Sequence, residues 1–157
     1  MLENVSSAKE RWGGVNVMID RWLKERQQLI VNYCQLSRAD DFDSPEKLRA
    51  ALLVFCELLV DYVSAGHFEI YEQLIQEACE YDDGGLELVS RIFPRIEATT
   101  EAALEFNDRF DGCDGTGVGL QDLYQHVSQL GETLEERFEL EDVLIEALHT
   151  AHADKVA

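Results

Sequence analysis

Apolar residues return every three or four positions along almost the whole chain, and only two prolines, Pro45 and Pro94, interrupt them. This is the helical period, in which positions i, i+3, i+4 and i+7 share a face; the period-two alternation of strands is scarce. Residues 15–37 carry Ile19, Trp22, Leu23, Leu29 or Ile30, Tyr33 and Leu36 in this register, and Leu120, Leu123, Val127, Leu130 and Leu134 repeat it near the end. No internal repeat or low-complexity tract divides the 157 residues, a length that suits one domain. Long helices with short polar connections pack as antiparallel bundles. The expected fold is all-α: a single-domain antiparallel helical bundle over residues 1–157, with a four-helix core and additional helices.

Local chemistry suggests the boundaries. Ser7 with Glu10 reads as a capping box, and Gly13 with Gly14 as an interruption. Residues 39–43 form a polar loop, after which Ser44 serves as N-cap and Pro45 as the first helical residue. That helix is expected to bend or break at Ser64-Ala65-Gly66, and another to run from His67 to about Tyr81, before Asp82-Asp83-Gly84-Gly85. A short helix at 86–93 should be kinked or restarted by Pro94, and a longer segment should reach Phe110. The acidic, glycine-rich stretch 111–119 reads as a loop, and Gly131 as a bend in the last helix.

Charge narrows the choice of partner. The chain holds 32 acidic and 13 basic side chains, a net charge of −19, and its 46% apolar content is enough for a core rather than a disordered coil. Such a surface repels phosphate backbones, which disfavours direct binding to nucleic acid or an anionic membrane and favours a basic protein. The imbalance begins after residue 38: residues 1–38 hold six basic and four acidic side chains, the rest seven and 28. A solvated acidic surface accounts for this, and so does an electrostatic lure for a cationic partner. The first twelve residues lack the apolar core of a signal peptide, and the longest apolar run, 50–56, is too short to span a bilayer. Four cysteines, at 34, 56, 79 and 113, form no Cys-x-x-Cys pair, so a cytoplasmic protein with reduced thiols is the simplest expectation.

The segment 45–64 is apolar on most sides, with Leu53, Val54, Leu58 and Val60 lying off the stripe of Leu48, Ala51, Leu52, Phe55, Leu59 and Tyr62. Such a helix is central in the bundle or keeps a face for a partner. Glu57 and Asp61, four apart, repel by about 0.2–0.5 kcal/mol, which is tolerable on a solvated edge and would also suit pairing with a basic partner. His67 beside carboxylates could be a metal ligand, an acid–base group or a hydrogen-bonded core histidine. Arg21 or Arg26 could be solvated or could pair with carboxylates of other helices. The run 132–146, with seven acidic residues and one basic, reads as a solvated face.

Other chemistries fit less well. A metal-binding helical bundle of the di-iron type needs two Glu-x-x-His motifs, and the chain has one, Glu146 with His149, plus His152. A phosphorelay module could use His126, but residues 121–136 hold no basic side chain to steady a phosphate. The stretch 108–115 fails the EF-hand pattern, and 115–119 lacks the lysine of a phosphate-binding loop. No nucleophile–base pair stands out. The expectation is a non-enzyme with no metal and no cofactor.

Asp20-Arg21-Trp22-Leu23, then Phe55-Cys56 with Leu59-Val60-Asp61-Tyr62-x-Ser64-Ala65-Gly66-His67-Phe68-x-Ile70-Tyr71-Glu72, then Arg137-Phe138-x-Leu140-Glu141-Asp142 resemble the Rsd/AlgQ family, the regulators of sigma D. Order, spacing and length match across the chain, and residues 10–14 and 20–28 look closest to the AlgQ branch. The resemblance implies an anti-sigma regulator that binds region four of the primary sigma factor of RNA polymerase, a basic helix-turn-helix module. Binding there would block recognition of the −35 promoter element and docking on polymerase; the AlgQ likeness implies a part in alginate regulation. Asp61 is the first residue expected to meet the partner, with Glu57, Trp22, Phe68, Tyr71, His67, Glu72 and Arg21 around it.

Overall fold

The structure is a computed structural model that describes residues 2–38, 42–111 and 120–156, with side chains from 8 to 38, 42 to 111 and 122 to 156. Most of the loops expected at 39–43 and 111–119 lies outside the described residues, as do the side chains of Ser7 and Leu120. The elements are α1 (Leu2–Leu36), α2 (Pro45–Ala65), a π-helical turn (Gly66–Ile70), α3 (Tyr71–Tyr81), α4 (Gly85–Phe110), α5 (Leu120–Leu148), a 3-10 turn (Thr150–His152) and α6 (Ala153–Val156). No strand occurs among the described residues, and the all-α expectation holds. Among the described residues no helix is long and apolar enough to cross a membrane.

Side-chain pairs fix the topology. α1 and α2 run antiparallel, with Trp22 stacked on Tyr62 at 4.7 Å and Tyr33 against Phe55 at 6.2 Å. α2 meets α4 through Phe55 and Phe106, 5.7 Å apart. α4 and α5 are antiparallel, bridged by Arg95–Glu136 at one level and Arg109–Asp122 at another. α5 returns to α1, where the Tyr33 hydroxyl donates to the Val127 carbonyl (2.9 Å) and the Trp12 indole to that of His149 (3.0 Å). The four long helices therefore close an up-down-up-down ring, and α3 lies antiparallel to α4 with Tyr71 against Phe93. Trp22, Phe55, Tyr62 and Phe110 are among the fully buried side chains, each contributing about 1.5–3 kcal/mol by burial.

Ser44 caps α2 as its sequence indicates, accepting from the Lys47 amide at 3.3 Å, with Pro45 in the first turn. Elsewhere tertiary contacts override local signals. α1 runs unbroken from Leu2 through Ser7, Gly13 and Gly14, because burial of Val15, Ile19 and Trp22 outweighs the roughly 1 kcal/mol that each helical glycine costs. α4 runs through Pro94; the Ser90 carbonyl that loses its amide partner sits on an exposed turn where water can replace it. Gly131 lies inside α5 rather than at a helix break. A Cβ there would sit 2.0 Å from the Tyr33 hydroxyl, so glycine makes room for the tyrosine.

Candidate functional site

Residues 61–72 alternate between the interior and the surface of the bundle. Gly66 is enclosed: a Cβ on it would lie 3.1 Å from Trp22 and 3.2 Å from Tyr71. Both Gly66 and Tyr71 must pack on Trp22, a five-residue step that an α-helix of 3.6 residues per turn does not make. The chain makes it with a π-turn, in which the Tyr71 amide donates to the Gly66 carbonyl. This turn replaces the break expected at 64–66.

Inside the turn lies a buried polar network. Glu141, 1% exposed, accepts from the Tyr62 hydroxyl (2.6 Å), from the Tyr71 hydroxyl and from Arg26 (3.3 Å). Arg137, 0% exposed, donates to the Tyr71 hydroxyl (2.8 Å), Thr99 (3.1 Å) and Thr100 (2.7 Å), and its Nε lies 3.3 Å from Glu141. Arg26 joins from α1, bound also to Asp142 at 2.6 Å and lying over the Phe138 ring. Thr100 donates to the Ile96 carbonyl, so toward Arg137 and His67 it accepts; His67 therefore donates from Nε2, at 2.8 Å.

Burial sets the protonation pattern. It pushes the Tyr62 and Tyr71 phenols above their ordinary range, reinforced by Glu141. It also pushes the Glu141 carboxyl up, against the pull of Arg137, the two phenols and Arg26. Every hydrogen-bond partner of Glu141 is a donor, so at neutral pH it is the carboxylate. Arg26 resists the same burial and is held charged by Tyr62, Asp142 and Glu141. Burial, then Arg137, lowers the His67 pKa, while Glu97 opposes them, so this ring is neutral at neutral pH.

The outer face of the same segment is different. Phe68 is 78% exposed, and Glu57, Asp61, Glu69 and Glu72 are exposed on α2, the π-turn and the first turn of α3. The pairing of Trp22 with Tyr62 places Glu25 of α1 beside Asp61. The Glu25 carboxyl is pushed up, first by partial burial and then by Asp61 and Glu69, with Arg21 opposing. Farther along α2, Val54 is exposed and Leu58 half-buried. On the helix at 45–64, Leu52, Phe55, Cys56, Leu59, Tyr62 and Val63 face the core, and Val54, Glu57, Leu58 and Asp61 form an outer stripe.

The expected site residues therefore divide. Asp61, Glu57, Phe68, Glu72 and Arg21 are exposed. Trp22 and Tyr71, each 2% exposed, are core residues, because their polar atoms are engaged inside the bundle: the Trp22 indole donates to the Tyr62 carbonyl at 3.1 Å and the Tyr71 hydroxyl belongs to the network. His67 is half-buried and hydrogen-bonded. Of the two arginines considered for pairing, Arg26 makes the interhelical bonds.

Arg137 and Glu141 were hidden in a run that composition reads as solvated. The signal was their register: 130, 134, 137, 141, 144 and 148 form one inward stripe, with leucines at the other four positions. The remaining histidines have separate partners. His149 meets Glu77 at 2.9 Å and Asn16 at 3.1 Å, His152 meets Asp83 at 2.7 Å, and His126 donates from Nδ1 to the Asp122 carbonyl at 2.8 Å. Among the described residues no three His, Cys, Asp or Glu side chains gather in a metal-binding group.

A family model described as "Regulator of RNA polymerase sigma(70) subunit, Rsd/AlgQ" matches residues 1–149. Relatives over nearly the full length carry the name "Regulator of sigma D". One from Yersinia pseudotuberculosis is 35% identical, over 99% of this chain and 97% of its own. One from Pectobacterium carotovorum is 35% identical, over 95% and 99% respectively.

Proposed function

The chain belongs to the Rsd/AlgQ family, and from that premise we propose that it regulates the primary sigma factor of RNA polymerase by binding region four through the face around Asp61 and Phe68. The observation that carries this reading is an exposed aromatic set among exposed carboxylates: Phe68 with Glu57, Asp61, Glu69 and Glu72. An apolar anchor ringed by acids suits a basic helical module, with the aromatic supplying affinity and the carboxylates supplying steering and register. Val54 and Leu58 extend the apolar contact along α2. Trp22, Tyr71 and His67 act from behind, shaping the turn that carries Phe68.

The action is stoichiometric. A bound region four is unavailable to the −35 element and to polymerase, so occupancy alone regulates and no reaction is required. The protein works in the cytoplasm, where polymerase is, and needs no contact with DNA. Alginate control, implied by the AlgQ-like N-terminal stretches, would be a downstream consequence.

Titration calorimetry with isolated region four tests the reading. Asp61→Ala and Phe68→Ala should each weaken binding by about 2 kcal/mol, roughly 30-fold, with unchanged thermal stability. Affinity should fall as salt rises. Absence of binding at low salt would refute the proposal, and undiminished affinity of Asp61→Ala would remove that residue from the interface.

A further inference from the structure

The π-turn sets the direction of Phe68, and it has one polar side-chain anchor beside the apolar Ile70. Gly66 has none, Ile70 is apolar and buried, and Phe68 and Glu69 face outward. His67 alone of the five reaches a polar partner across the bundle, through Nε2 to Thr100 Oγ1 at 2.8 Å, with its ring edge-on to Tyr71. Thr100 is itself immobilised, accepting from Arg137 and donating to Ile96. A π-turn carries one residue more than an α-turn, and losing that extra residue rotates the downstream helix by about 100° around its axis. Such a turn persists where surrounding contacts over-determine it.

We propose that His67 is a positioning residue for partner recognition: its hydrogen bond to Thr100 ties the π-turn to the buried Arg137–Glu141 network and so holds Phe68 outward beside Asp61. The proposal rests on the function proposed above, and it assigns His67 a role separate from contact with the partner. The ring acts as a neutral donor of one hydrogen bond. A glutamine places an amide N–H at nearly the position of Nε2, whereas a leucine fills the space without a donor.

The test pairs two readouts on the full-length protein: amide hydrogen exchange over 66–71 in the free state, and calorimetric affinity for isolated region four. His67→Leu and Thr100→Val should speed exchange over that segment by about 10-fold and weaken binding by about 10-fold. His67→Gln and Thr100→Ser, which restore the donor and the acceptor, should return both readouts to near wild type. Melting curves identify any variant whose whole fold is lost, and the glutamine and serine variants then decide. Unchanged exchange in both His67→Leu and Thr100→Val would overturn the latch. Faster exchange with wild-type affinity would overturn its role in recognition. If wild-type protein does not bind region four while exchange behaves as expected, the choice of partner fails and the latch stands.

Discussion

Replacing Arg137 with methionine removes a guanidinium that is 0% exposed and keeps most of the side-chain volume. The loss has three parts. Thr99 and Thr100 lose donors at 3.1 and 2.7 Å, and the Tyr71 hydroxyl loses one at 2.8 Å. Glu141, 1% exposed, keeps its charge but retains only Arg26, at 3.3 Å, as a cationic partner. Breaking a buried pair from one side costs about 3–5 kcal/mol, much of it from the charge left behind. In a domain of this size that corresponds to a fall in melting temperature of roughly 10 °C.

The double variant Arg137→Met with Glu141→Leu removes the stranded charge and should recover about 2 kcal/mol, although Tyr62 and Tyr71 then lose their acceptor. Arg95→Ala is the control on the same helix pair. It breaks Arg95–Glu136, whose side chains are 59% and 46% exposed, and should cost about 0.5 kcal/mol or less. Urea unfolding followed by circular dichroism gives all three values. An Arg137→Met cost below about 1 kcal/mol, level with Arg95→Ala, would refute the network as the tie between the helices.

Gly131→Ala should destabilise the fold by about 1–3 kcal/mol in urea unfolding, because the new methyl displaces Tyr33 from its bond to Val127. Gly13→Ala and Gly14→Ala, with nothing within 4 Å of the added carbon, should instead stabilise by about 0.5–1 kcal/mol each. Cys56 is buried, and burial pushes its thiol up to about 12; iodoacetamide at pH 8 should label Cys34 and Cys79 in the native state and spare Cys56 until the protein unfolds. The hydrogen bond from His152 holds the Asp83 carboxyl below its ordinary value. A depressed acid stabilises the fold above its unfolded pKa and loses that contribution as pH falls through the folded one. The difference in urea midpoint between wild type and Asp83→Asn should therefore be present at pH 6 and be lost as the pH falls below the ordinary aspartate range.

Helix type was legible because burial repeats at the helical period; helix continuity was not. The glycines at 13–14 and 131 and the proline at 94 are breakers by local propensity, yet α1, α5 and α4 run through them. At Gly131 the deciding contact comes from Tyr33, ninety-eight positions away in the chain. The site was half legible. Asp61 and Glu57 stand out as the two charged residues of a segment, 50–64, that is apolar on most sides, and they lie on its outer line, but which of its apolar residues are buried is settled only by packing. Trp22 and Tyr71 belong to the same motif but bury, because hydrogen-bond partners for the indole and the phenol, the Tyr62 carbonyl and Arg137 with Glu141, come together only on packing. The opposite error hid Arg137 and Glu141: composition counts charges, whereas the register places these two on the leucine stripe of α5.

That placement also changes what the net charge of −19 means. The basic side chains are distributed unevenly among the acids. Arg11 pairs with Glu80, Arg26 with Glu141 and Asp142, Arg95 with Glu136, Arg109 with Asp122, and Arg137 with Glu141. Glu57, Asp61, Glu69 and Glu72 make no ion pair among the described residues, and Asp61 and Glu69 crowd Glu25. On α4 and α5, Arg95 and Arg109 hold Glu136 and Asp122, while Glu97, Glu101, Glu105, Glu132, Glu135 and Glu139 are exposed and make no ion pair among the described residues, so free carboxylates alone do not single out a face. At the face of α2 and the π-turn, Asp61 and Glu69 crowd Glu25, with Arg21 opposing them, so a cationic partner there relieves a repulsion without breaking an ion pair of Asp61 or Glu69. What sets the face of α2 and the π-turn apart is therefore the pairing of such carboxylates with an aromatic ring, Phe68, that is 78% exposed.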